Sequence, residues 1–175
     1  MLLIGGVGAS FWFSRPQSTI NHTLITSNYC EMCHRPEAEL YRGDVKIRLV
    51  GIRPSWKGPV TCNDCHDYIL HQSMSQRCVE CHSAPYLVFL TEWTTGFDEE
   101  MKLIANKLQR VESALAGAAP GNVLGIRAKR LLKETREILD FVKKGRAVHN
   151  PNVARALLTV ARQKSEQALD AVARQ

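Results

Sequence analysis

At 175 residues the chain has room for one domain, or for one domain with an elaborated tail. Its 45% hydrophobic and 7% aromatic content is ordinary for a globular chain and excludes the fibrous and disordered classes. The formal net charge is +6, and all six cysteines fall between residues 30 and 81, so the first half is built around something other than apolar side chains alone.

Residues 1–14, MLLIGGVGASFWFS, form an uncharged apolar run closed by Arg15 and Pro16. A membrane-spanning helix needs about 20 apolar residues, so this run by itself is too short, and it lacks the basic leading segment of an export signal. Residues 1–16 therefore read as part of a membrane anchor, as a helix packed on a membrane partner, or as an apolar element buried in an ordinary core.

Residues 17–97 hold every cysteine, arranged as Cys30-Glu31-Met32-Cys33-His34, Cys62-Asn63-Asp64-Cys65-His66 and Cys78-Val79-Glu80-Cys81-His82. CxxCH is the attachment pattern of c-type haem: two thiols bond covalently to the porphyrin edge, and the adjacent histidine is carried under the iron. A disulfide framework gives no reason for a histidine after each pair. Zinc sites want cysteines in facing sets of four, and three thioredoxin-like units do not fit in so short a stretch. The motifs thus predict three covalently bound haems c, with Cys30, Cys33, Cys62, Cys65, Cys78 and Cys81 as attachment points and His34, His66 and His82 as proximal ligands.

Three histidines remain, His22, His71 and His149, and three irons with one proximal ligand each need three more to be six-coordinate. All three haems are therefore expected to be bis-histidine and low-spin. His71 follows His66 too closely to reach the opposite face of the same ring, which directs it to a neighbouring haem. His22 fits haem 1 or haem 3. Among the methionines, Met32 is badly placed inside its own motif and Met101 sits on an apolar helical face, which leaves Met74 as the competing ligand.

Turn signals crowd this part: Arg35-Pro36, Arg42-Gly43-Asp44, Gly51 to Pro54, Lys57-Gly58-Pro59 and Ala84-Pro85. Between them only Lys46 to Val50 alternates as a strand would. A chain so interrupted buries little apolar surface of its own, so the macrocycles are expected to supply its core, and loss of haem to mean loss of fold.

Residues 98–175 change to long helices. Met101, Ile104, Leu108, Val111 and Leu115 form an apolar stripe. A second helix is predicted over residues 123–144, with Ile126, Leu131, Thr135, Ile138 and Val142 near one face and Gly145 as its C-cap. A third starts after Asn150, with Asn150 as N-cap and Pro151 in its first position. His149 thus lies in a linker with an anchored backbone and a free ring, placed for the tail to donate an axial ligand to a haem held by the first half. The fold class expected is mostly α, with a turn-rich, haem-packed N-terminal part and a long-helix C-terminal tail.

The triple CxxCH with outlying histidines resembles the multihaem c-type cytochromes, among them the bis-histidine low-potential cytochromes and the membrane-anchored quinol-oxidising ones. Gly145-Arg146-Ala147-Val148-His149-Asn150-Pro151 and the helix after it look like the helical tail of the cytochrome c nitrite reductase group, in which the tail histidine is an axial ligand. There are departures: this chain has fewer haem motifs, no CxxCK, and no cluster of Arg, Tyr and His to form a substrate pocket.

The resemblance implies a non-enzymatic relay of single electrons outside the cytoplasm, on the periplasmic or outer membrane face. Its partners would be a redox protein or a membrane quinol-linked complex of a respiratory chain. A small haem oxidoreductase with one open iron, acting on a nitrogen or sulfur oxyanion, is the alternative, and a haem-wiring subunit of a larger respiratory complex is another. With haem propionates counted, the charge falls to about +3. The basic residues Lys129, Arg130, Lys133, Lys143, Lys144 and Arg146 lie on amphipathic helices, which argues for docking to a protein or membrane surface and against nucleic acid.

Overall fold

The computed structural model describes residues 32, 34–43, 62–66, 74–117 and 122–174, with backbone only at 63, 64, 74 and 75. Residues 1–16, the strand expected at Lys46 to Val50, and His22, Cys30, Cys33 and His71 lie outside the described residues. So does the side chain of Met74.

Among the described residues all regular structure is helical: α1 (Arg35–Arg42), α2 (Cys62–Cys65), α3 (Met74–Cys81), α4 (Tyr86–Ala116), α5 (Val123–Gly145), a 3-10 turn (Ala147–His149) and α6 (Pro151–Ala173). None of these helices is long and apolar enough to cross a membrane.

The first long helix starts at Tyr86, well before the change of character at Asp98. Thr94-Thr95-Gly96 has weak helix propensity, yet the chain stays helical through it. Leu90, Trp93 and Phe97 extend the apolar stripe backwards at helical spacing, and Phe97 is buried. The hydroxyls of Thr91 and Thr94 donate to the carbonyls of Leu87 and Leu90, which keeps them within the helix's own hydrogen bonding. Tertiary burial of one face outweighs local propensity here.

In α5 the buried face runs Ala128, Leu131, Thr135, Ile138 and Val142. Ile126 is not on it: it is 61% exposed, because a position two residues before Ala128 points to the opposite side of an α-helix. Thr135 is tolerated in the core because its hydroxyl donates to the Leu131 carbonyl at 2.7 Å. The N-caps form as the residue types require: the Asn122 side chain accepts from the Leu124 amide at 2.9 Å, and that of Asn150 from the Val153 amide at 3.2 Å.

Gly145 is the last helical residue of α5 rather than a left-handed cap. The C-cap is Arg146, whose φ is positive at 54° with ψ 103°. Gly145 is required for a different reason. A Cβ there would meet the Pro36 carbonyl oxygen at 2.9 Å and Leu40 at 3.0 Å, so α1 packs directly on the end of α5.

The connection from α5 to α6 is short, so α6 runs back alongside α5, with small buried residues Ala154, Ala161 and Ala168 allowing close approach. Leu40 of α1 is fully buried in the same cluster as the apolar faces of α4, α5 and α6. Among the described residues before α4 the buried apolar ones are Ala38 and Leu40, so the hydrophobic core belongs mainly to the three long helices.

Candidate haem-ligand site

Each described CxxCH ends as a helical turn. The His66 amide donates to the Cys62 carbonyl at 2.8 Å, and the His82 amide to the Cys78 carbonyl at 2.8 Å. This winding puts the two cysteines of a motif on one face, with the histidine one turn above the first cysteine. Cys62 and Cys78 are half-buried, while Cys65 and Cys81 are exposed. Met32 is 76% exposed, and Met101 packs against the core, in keeping with a structural place for Met101.

His34 occupies the N-cap position of α1, and its Nδ1 lies 3.6 Å from the Glu37 carboxylate, one helical turn on. The helix it opens is held down at its other end by Leu40 and by Gly43, whose left-handed φ of 70° suits glycine and whose amide donates to the Leu40 carbonyl at 3.0 Å.

His149 is fixed from several directions. Its Nδ1 lies 2.8 Å from the Gly145 carbonyl oxygen and 3.2 Å from that of Arg146. Carbonyls only accept, so Nδ1 carries a proton and donates, and it is Nε2 that would keep the lone pair in the neutral ring. That is the tautomer of a metal-binding histidine, in which the second nitrogen is held by a backbone acceptor. The following Asn150 ties the turn to α1, its side-chain amide donating to the Tyr41 carbonyl at 3.4 Å.

The ring of His149 faces that of His66: their centres are 6.0 Å apart and their planes 25° from parallel. This is too far for direct contact between faces. Two imidazoles bound end-on to one metal place their ring centres roughly 6 Å apart, since each metal–nitrogen bond is about 2 Å and each nitrogen lies about 1 Å from its ring centre. Burial first, and then neighbouring His149 and His34, hold the His66 pKa below the ordinary histidine range, with Glu37 pulling the other way. A neutral imidazole is the form that binds metal. The two helical CxxCH turns fit covalent haem c, and the 6.0 Å between the His66 and His149 ring centres is of the order of the spacing of two imidazoles on one metal. Among the described residues no three His, Cys, Asp or Glu side chains converge to hold a bare metal ion. A porphyrin supplies four donors of its own and needs only two from the protein.

The third motif has a different setting. His82 stacks on Tyr86, with ring centres 3.9 Å apart and planes 8° from parallel. Tyr86 meets Trp93 edge-on at 5.8 Å, and Phe89 lies 6.3 Å from Trp93. The Tyr86 hydroxyl is pushed above its ordinary pKa by burial, then by Cys78 and Cys65.

The structure thus brings His34, His66 and His149 together and gives His82 an aromatic neighbour. Glu37 and Tyr86 were not singled out in the sequence, and Gly145 was read only as a C-cap, not as the residue whose carbonyl holds His149. Their signal is helical spacing, at three residues after His34, four after His82 and four before His149. It becomes readable only once the helices on which the residues sit are known.

CxxCH turns with a tail histidine close to a motif histidine resemble the arrangement of multihaem c-type cytochromes. In agreement, residues 15–85 match the family model described as cytochrome c7 and related cytochrome c. The match indicates a cytochrome c7-like fold with covalent haem c for that segment and supports a multihaem electron-transfer role. It ends at the residue before α4 begins, so the three-helix tail lies beyond it. No curated protein and no solved structure matches the chain.

Proposed function

We propose that this chain is a triple-haem c-type cytochrome relaying single electrons between redox partners outside the cytoplasm. His34, His66 and His82 serve as proximal ligands, and His22, His71 and His149 as distal ones. The observation that supports the reading is the approach of His149 to within 6.0 Å of His66, ring centre to ring centre; were both rings to ligate one iron, no position for a substrate would remain on it. Bound haem supplies reversible one-electron chemistry between ferric and ferrous iron, and the protein supplies spacing, ligands and burial.

The residues around the pair suit a relay because they resist rearrangement. The Gly145 carbonyl holds His149 in one tautomer, Asn150 holds the turn to α1, and Leu40 holds α1 to the core. A site that keeps its ligands through a change of oxidation state has little to reorganise. The donor or acceptor is a redox protein or a membrane quinol-linked complex, met through the basic residues Lys129, Arg130, Lys133, Lys143, Lys144 and Arg146 of α5 and its end, with residues 1–14 assisting at a membrane.

Absorption and electron paramagnetic resonance spectra of the purified holoprotein test this. The expected result is wholly low-spin iron, with carbon monoxide binding the reduced protein slowly or not at all. A resting high-spin haem that shifts on adding nitrite, hydroxylamine or sulfite overturns it in favour of an oxidoreductase with an open iron.

A further inference from the structure

We infer that Tyr86 is a positioning residue that fixes the plane of the His82 imidazole at the third haem site. The inference rests on the reading of His82 as a proximal ligand. Tyr86 itself is the first residue beyond the segment that the family model matches.

A ligating histidine needs an outside contact to hold its ring. The torsion between Cβ and an imidazole is broad and roughly two-fold, so the backbone of a CxxCH turn places the ring without deciding which way its plane stands. The usual restraint is a hydrogen bond to the second ring nitrogen. His149 has one with the Gly145 carbonyl, and His34 has the Glu37 carboxylate 3.6 Å from its Nδ1. His82 is exposed, and among the described residues its ring takes part in no hydrogen bond. What it has is Tyr86, stacked on it with ring centres 3.9 Å apart and planes 8° from parallel.

The stack is built into the chain. The Tyr86 amide donates to the Ser83 carbonyl at 2.9 Å and the Leu87 amide to that of Ala84 at 3.1 Å, which closes a tight turn between α3 and α4. That turn returns Tyr86 to the ring four residues before it. Tyr86 is held edge-on by Trp93 at 5.8 Å, a favoured arrangement of aromatic pairs, and Trp93 packs against the buried cluster of the long helices. A continuous line of ring contacts therefore runs from the core to an imidazole that lies outside it.

The plane matters because the principal g values of a low-spin ferric haem follow the directions of its axial imidazoles, and axial ligation is one of the means by which a protein tunes the iron. A ring of fixed plane gives a sharp signal. A ring free to turn gives a spread of g values.

Paramagnetic resonance of the oxidised holoprotein tests this with two variants. Tyr86→Leu keeps an apolar side chain but removes the ring face, while Tyr86→Phe keeps the face and removes the hydroxyl. The third-site signal is the one missing from the protein carrying both Cys78→Ser and Cys81→Ser. In Tyr86→Leu that signal is expected to shift and broaden while the other two stay in place, and Tyr86→Phe is expected to give the parent spectrum.

A parent spectrum in Tyr86→Leu overturns the inference, and so does a change at all three sites, which marks a general loosening of the fold. Equal changes in the Phe and Leu variants overturn it as well, since the hydroxyl would then be responsible. An intact mass showing no haem on Cys78 and Cys81 of the parent overturns this inference and the relay reading together. A high-spin signal at another iron overturns the relay reading alone.

Discussion

The imidazoles of His66 and His149 face one another with their centres 6.0 Å apart, although one ends the second CxxCH and the other lies in the elbow between the last two helices. A segment remote in sequence thus presents to the motif-bearing part a ring anchored through Nδ1 to a backbone carbonyl. The link also works mechanically, because the carbonyl that orients His149 belongs to Gly145, the residue on which α1 rests.

Replacing His149 with alanine should open one iron and only one. The low-spin spectrum is expected to convert by about one third to high-spin, and the reduced variant to bind carbon monoxide at that site. Docking of the tail should weaken by about 1–3 kcal/mol in chemical denaturation, since a cross-link between distant segments is lost. A spectrum unchanged from the parent means that His149 is only a linker residue.

Gly145→Ala probes the contact between α1 and the end of α5. A Cβ would press on the Pro36 carbonyl oxygen and Leu40 at 2.9 and 3.0 Å, so either α1 or the elbow must shift. Overpacking of this kind costs about 1–3 kcal/mol. Thermal unfolding should register the loss. A melting temperature equal to the parent's would show that the close approach is not tight in solution.

Asn150→Ala removes the cap of α6 and the bond to the Tyr41 carbonyl together. The cap alone is worth about 1 kcal/mol, and the buried Val153 amide is left without its side-chain acceptor. Asn150→Asp keeps the cap acceptor but cannot donate to Tyr41, so it should recover part of the loss. Denaturant midpoints of the three proteins separate the two roles, and equal stability of the Asp variant and the parent assigns no weight to the Tyr41 bond.

Denatured holoprotein should carry three haems by intact mass, resistant to extraction with acid acetone, and Cys78→Ser with Cys81→Ser should remove one. Matured protein is expected on the non-cytoplasmic side in cell fractionation. Finding holoprotein in the cytoplasm, or haem that extracts freely, contradicts the attachment chemistry.

What the sequence determined by itself is local. CxxCH is complete within five residues, because its two cysteines and its histidine meet along a single helical turn. Asn150 followed by Pro151, and the repeats Ile104, Leu108, Val111 and Val153, Leu157, Ala161, are equally local, and the caps and buried faces are found at those residues. Tertiary structure decided the rest. It carried α4 back to Tyr86 through weak helix formers by burying Phe97, turned Ile126 to solvent, and used Gly145 for contact with α1 instead of for a left-handed cap. It also set His149 against His66 and Glu37 beside His34. No local pattern specifies those pairings, because each depends on how α1 seats against the α5–α6 elbow, and that seating is settled by the burial of Leu40 among side chains from three other helices.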